Sequence, residues 1–254
     1  MDLGLSGKRA IVTGASRGIG RAVAETLGRE GVAVAICARS EESLARAEAD
    51  LRRQGVTAHA QVLDVSDEGR IGSFVDWAAE QLGGLDIIVS NVSAGASAEP
   101  GQWAASFASD LLAFVRLVES ATPYLEQSDS ASIVAIASTS AFDTLPPARA
   151  NSYAAFKAAL IQHASSLGHS LPAQGIRVNT VSPGPIFFEG GPWDLRMQTH
   201  PEQTGAIRDR IPMGRFGSPE DVANAVAFVS SPAAGFLTAA NLVVDGGFTS
   251  RVHF

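Results

Sequence analysis

The sequence predicts a doubly wound α/β sandwich, a parallel sheet of seven strands with helices on both faces. Three observations predict it. Short apolar runs alternate with longer amphipathic stretches along the chain, as buried parallel strands joined by crossover helices do. A glycine-rich turn follows the first of these runs and opens a helix-like stretch. The 254 residues are 46% hydrophobic and include 25 Gly and 12 Pro, enough to fill the core of one large α/β domain.

Taken in order, the first strand is the apolar run Arg9 to Thr13, and the helix from Arg21 to Arg29 ends at Gly31. A second run, Ala33 to Cys37, precedes a charged amphipathic stretch from Glu41 to Gln54. Ala58 to Leu63 is the third strand, and the helix after it spans Ser66 to Leu82 with Ser66 as its cap. Asp86 to Ser90 and Ser132 to Ala137 are strands on either side of a long helix, Trp103 to Leu125. Ser152 to Leu171 is again helical, followed by the strand Arg177 to Val181, the helix Pro219 to Ser230 and a final strand, Leu242 to Val244. No internal repeat or linker divides the chain, so residues 1–254 read as one domain. Residues 183–217 are rich in Gly, Pro and aromatics with little strand pattern; an excursion this long in a compact domain reads as a lid, around 185–217.

Composition excludes several functions. Nineteen Lys and Arg against 26 Asp and Glu leave a net charge of -7 with no dense basic cluster, which argues against a nucleic-acid partner. One cysteine, Cys37, supports neither an internal disulfide nor a cysteine-based zinc site, and the five histidines are scattered, so no metal is expected. Met1 to Arg9 lack a basic segment followed by an apolar core, and no run approaches the ~20 apolar residues of a membrane helix. A cytoplasmic protein is expected.

The turn reads Thr13-Gly14-Ala15-Ser16-Arg17-Gly18-Ile19-Gly20. Without a Cβ, Gly14 can leave the strand tightly, while Gly18 and Gly20 let backbone and helix N-terminus approach a pyrophosphate. About 20 residues further on, where NAD sites carry an acid, the chain has Cys37-Ala38-Arg39-Ser40. Arg39 and Arg17 suit a 2′-phosphate, so NADP(H) is favoured and NAD(H) stays open.

With that turn, Tyr153-Ala154-Ala155-Phe156-Lys157 and Pro183-Gly184, the chain resembles the short-chain dehydrogenase/reductase family in its compact form. The likeness extends through Leu85 to Val89, Ile133-Val134 leading to Ser138, Asn179 to Gly184, Gly214 to Ala223 and Val244 to Gly247, nearly the whole chain. It implies a Rossmann-type three-layer sandwich and hydride exchange between NADPH and a carbonyl or secondary alcohol, similar to 3-oxoacyl-carrier-protein reductases. Tyr153 and Lys157, four apart on one helix face, suit acid/base work, because a nearby ammonium favours the tyrosinate. The resemblance makes Lys157 also a holder of the nicotinamide ribose. Ser138 at its strand end is taken as the serine that bonds the substrate oxygen. It lies 15 positions before Tyr153, whereas Ser140, 13 before, has the spacing more usual among relatives and remains the alternative. Pro146 and Pro147 suggest a two-residue insertion behind the excess. The resemblance also assigns Ser16, Arg17, Gly18, Ile19 and Gly20 to the phosphates, Arg39 and Ser40 to the 2′-phosphate, Asp64 and Val65 to adenine, and Asn91 and Ile186, by Pro183 and Gly184, to ribose and nicotinamide.

Three departures stand out. Ser90-Asn91-Val92-Ser93 replaces the family's Asn-Asn-Ala-Gly and keeps only Asn91. Asp110, found by counting back 13 from Pro123, stands where relatives place an asparagine; a carboxylate there can pair with Lys157 and alter the proton relay. Phe188 replaces a cofactor-binding threonine. Phe142, Leu145, Phe187, Phe188 and Trp193 are expected at the site mouth, which favours a mainly apolar small-molecule substrate. Family likeness and the apolar Leu111 to Val115 run point to a homo-oligomer, a tetramer by preference. The alternative from another class is a dinucleotide-binding sensor or scaffold with reduced or no turnover, which the departures suggest.

Overall fold

Seven strands form one sheet in the computed structural model, which describes residues 2–97, 99–144 and 151–250. They are β1 (Arg9–Thr13), β2 (Ala33–Ala38), β3 (Ala58–Val62), β4 (Ile87–Ser90), β5 (Ser132–Ile136), β6 (Arg177–Pro183) and β7 (Asn241–Val244). Their spatial order is β3-β2-β1-β4-β5-β6-β7, and every neighbouring pair is parallel, as the alternating pattern predicts. The chain builds outward from β1 to β3, then returns to pair β4 with β1. A crevice therefore opens beyond the carboxyl ends of β1 and β4, where the order reverses.

The helices are α1 (Gly18–Arg29), α2 (Glu41–Arg53), α3 (Ile71–Leu82), α4 (Gln102–Ser106), α5 (Ala113–Leu125), α6 (Ser152–Ser170), α7 (Pro192–Thr199), α8 (Pro201–Asp209) and α9 (Pro219–Ser230). Alternation along the strands sorts them into two layers. Val12, Val34, Ile36 and Val89 pack with Val23 and Leu27 of α1, Leu51 of α2 and Val226 of α9. Ile11, Ala35, Ile88 and Ile133 pack on the other face with Phe74 of α3, Phe114 of α5 and Leu160 of α6. Cys37 is fully buried in this second layer, and burial pushes its thiol up to about 12.

Two local expectations are corrected. Ser66 does not cap α3: its N–H and hydroxyl donate to Asp64 Oδ1 at 3.0 and 2.7 Å, and the helix begins at Ile71. An acceptor two residues back captures the serine first. The stretch from Trp103 to Leu125 is not one α-helix, since a π turn at Phe107–Leu112 separates α4 from α5. The excursion after β6 holds α7 and α8, each starting at a proline whose missing N–H costs nothing at a helix start. Among the described residues, no helix is long and apolar enough to cross a membrane, and no cluster of His, Cys, Asp and Glu could hold a metal ion.

Candidate active site

Parallel strands bring all their carboxyl ends to one edge, so residues distant in sequence meet there. At the end of β1 the chain turns through Gly14 and Gly18, at φ +66° and +56°, a region that side chains disfavour. A Cβ on Gly20 would stand 2.5 Å from Asn91 Nδ2 and from the Gly14 carbonyl oxygen. Asn91 braces the turn: its N–H donates to Thr13 Oγ1 at 3.0 Å, and Nδ2 donates to the carbonyls of Thr13 and Gly14 at 3.1 and 3.2 Å. Because α1 begins at Gly18, the N–H groups of Gly18, Ile19 and Gly20 have no acceptor within the helix. A glycine cradle at a helix N-terminus fits a pyrophosphate.

At the ends of β2 and β3, Arg39 is exposed and no carboxylate stands at Ala38. Ser40 caps α2, its hydroxyl accepting from the Ser43 N–H. Hydrogen bonds from Ser66 hold the Asp64 carboxyl below the usual range, and the Arg39 charge adds to this. Val65 is buried in the core layer beneath.

The acid/base candidates lie across the crevice. Asn151 caps α6 by accepting from the Ala154 N–H at 2.9 Å, which fixes the first turn carrying Tyr153. Tyr153 is half-buried, and Lys157 Nζ lies 5.8 Å from its ring centre. Lys157 is buried and donates to the Ile136 carbonyl at 2.8 Å. Asp110 Oδ1 stands 3.2 Å from the same ammonium, so the pairing raised by the sequence is present as a buried ion pair. The other oxygen, Oδ2, accepts from the Ala94 N–H at 3.2 Å, whereas Oδ1 has no aligned hydrogen-bond donor. Ser138, buried at the end of β5, accepts from the Ser140 N–H at 3.1 Å and keeps its own hydrogen to donate. Both candidate serines stand at this edge.

The segment after β6 closes the edge. Gly184 donates to the Val244 carbonyl at 2.9 Å, and a side chain there would strike Asp245. Ile186 is buried and bridges to Gly217. The Phe188 ring tip fills the notch that glycine leaves at position 18, with Cζ 2.7 Å from where a Cβ would stand. Arg17 Nη1 reaches the Gly190 carbonyl at 3.4 Å. Of the aromatics expected at the mouth, Trp193 packs at 5.3 Å on Phe216, against the small core of Ile207, Ile211 and Phe248. Phe187 stacks on Phe216 yet stays 37% exposed, and Phe142 is half-buried beside the serine turn. Leu145, with Pro146 and Pro147, lies outside the described residues. The sequence reading missed the Thr13 hydroxyl, the Ile136 carbonyl and the Ala94 N–H; two of the three are backbone groups with no side-chain signal.

Comparison with known proteins gives concordant likenesses. The family model described as Enoyl-(Acyl carrier protein) reductase matches residues 14–249. Isoepoxydon dehydrogenase of Penicillium expansum is 40% identical across 100% of this chain and 99% of its own length. The 3-oxoacyl-(acyl-carrier-protein) reductase of Vibrio cholerae is 33% identical, over 96% of this chain and 98% of its own. Among solved structures, L-sorbose reductase from Gluconobacter frateurii, complexed with NADPH and L-sorbose, matches with a TM-score of 0.90 at 29% identity, over 99% of this chain and 100% of that one.

Proposed function

Because the chain belongs to the short-chain dehydrogenase/reductase family of oxidoreductases, we propose that it exchanges a hydride between NADP(H) and a carbonyl or secondary alcohol of a small, mainly apolar molecule. The observation that carries this reading is the half-buried Tyr153 beside the buried Lys157, at the sheet edge that also holds Ser138 and the glycine turn. The dinucleotide, when bound, supplies or accepts the hydride. In this reading Gly14, Ser16, Arg17, Gly18, Ile19 and Gly20 hold its pyrophosphate with the N-terminus of α1, and Arg39 and Ser40 face the 2′-phosphate. Asp64 and Val65 border the adenine; Asn91, Pro183, Gly184 and Ile186 border the nicotinamide end. The exposed Arg39 and the lack of a carboxylate at Ala38 support NADP(H) over NAD(H).

Tyr153 gives its phenolic proton to the substrate oxygen in reduction and takes it back in oxidation, while the Ser138 hydroxyl donates to the same oxygen. Lys157, anchored on the Ile136 carbonyl, keeps its ammonium beside the phenol. Residues 185–217 act as the lid of a single domain, and the exposed Phe187, with Phe142, offers the apolar wall. Exposed Trp103, Phe107, Phe228 and Phe236 support self-association, here as a cytoplasmic homotetramer.

The test is direct. NADPH should be consumed with members of a panel of cyclic and acyclic ketones, and Tyr153→Phe should lower kcat by about a thousandfold or more while NADPH still binds. One observation favours a rival, a dinucleotide-binding sensor: Phe188 occupies the notch at Gly18. NADPH binding without consumption across the panel would select that rival.

A further inference from the structure

The proposal here rests on the reading of Tyr153 as acid and base. We propose that Asp110 is a positioning residue that sets the working pH of Tyr153 by neutralising the ammonium of Lys157. Both side chains are almost wholly removed from water, at 0% and 3% exposure, and their charged atoms are 3.2 Å apart. A lone buried ammonium is costly to keep from water, so the carboxylate belongs to the charge balance of the site before any ligand arrives. Asp110 Oδ1 accepts no hydrogen bond although it is buried, so the contact with Lys157 acts through charge rather than through an aligned N–H. The carboxylate is also prevented from swinging away. Its second oxygen accepts from the Ala94 N–H, and its backbone lies in the π turn, a distortion frequent at functional sites.

Among the described residues, Asp110 is the carboxylate that meets this ammonium. Among the described residues, the elements packed against α6 include α4, the π turn, α5, β5, the Thr139–Ala141 turn, β6 and the Leu171–Gln174 turn. Their charged residues are Asp110, Arg177 and, on α5, Arg116 and Glu119; the Arg177 guanidinium donates to the carbonyls of Val229, Ser231 and Leu237, Arg116 pairs with Glu68, and Glu119 is exposed. On α6 itself, His163 packs on Phe114 and His169 lies in the last turn. Glu99 and Asp143 stand in the flanking loops, with Glu99 exposed.

An unbalanced ammonium draws the neighbouring phenol toward tyrosinate; a balanced one does so less.

The chain has 2 tyrosines, so the tyrosinate absorbance of the ligand-free protein reads Tyr153 once the Tyr153→Phe titration is subtracted. Tyr124, the other, donates to Asp76, which pushes its phenol up and leaves a common background. Asp110→Asn keeps the shape and an oxygen for the Ala94 N–H but removes the charge. It should move the Tyr153 step to lower pH by about one unit, as expected when the charge opposing Lys157 is removed at intermediate dielectric. The pH profile of kcat should move likewise, with KM for NADPH unchanged. Asp110→Ser is a second neutral variant with less bulk. An unmoved step and profile in a folded neutral variant would overturn the proposal, and so would failure of both variants to fold, which would assign Asp110 to stability alone. Full turnover in Tyr153→Phe would instead remove the acid/base reading beneath it, so the two failures are distinguishable.

Discussion

The glycine turn and the proposed acid/base centre share one edge of the sheet and are built by opposite means. The turn works through side chains that are missing: any carbon at Gly20 would meet Asn91 and the Gly14 carbonyl. The centre works through side chains buried with their charge, Lys157 against Asp110. Steric exclusion acts within a few tenths of an ångström, whereas charge acts across the pocket. The turn should therefore fail abruptly when altered, and the centre should shift its pH dependence.

The sharpest way to break this contrast is Gly20→Ala. With contacts of 2.5 Å to an amide and a backbone carbonyl, the variant should lose about 1–3 kcal/mol of stability and at least tenfold in NADPH affinity. Gly205→Ala in α8, where a Cβ meets nothing within 4 Å, is the control and should be neutral or slightly stabilising. Urea unfolding and NADPH fluorescence measure both. Equal behaviour of the two variants would undo the argument from missing side chains.

A smaller effect is expected at Arg39, to which the proposed function assigns the 2′-phosphate. Arg39→Ala should lower the ratio of NADPH to NADH affinity by roughly tenfold, the worth of one charge-assisted contact, and leave thermal stability unchanged. An unaltered ratio would mean that this arginine does not read the 2′-phosphate.

The smallest effect belongs to a charge pair that water reaches. Arg215 holds Asp221 at 2.6 and 3.0 Å, and with the Ser218 N–H it lowers the carboxyl to about 2 from 3.8. The folded value lies below the unfolded one, so the stabilisation is complete above about pH 4 and is lost as the pH falls toward 2. Solvent screening at 54% and 34% exposure keeps it to about 1 kcal/mol or less. Urea midpoints of wild type and Asp221→Asn should differ slightly near neutrality and converge in acid.

How much was legible follows the same division. Strands and glycine turn rest on local patterns, and β1 and α9 fall where the sequence places them, at Arg9–Thr13 and Pro219–Ser230. Asp110 was legible as a departure from the family pattern, but its partner Ala94 was not, since a backbone N–H on another loop leaves no trace in residue type. The π turn was hidden because its residues keep helical apolar spacing, and α7 and α8 because short helices started by proline resemble loop. Phe188 was read as a lost hydrogen bond; that its ring seats on Gly18 depends on how the segment after β6 folds back.

Cys37, sealed at the end of β2, gives the molecule an internal gauge. A thiol that stays protonated to about 12 and is walled off by Ile11, Leu63 and Phe74 is shielded from alkylating reagents while the second layer is intact. The rate at which iodoacetamide consumes this single sulfur therefore counts how often the slab between sheet and α3 parts, without a dye, a label or a mutation.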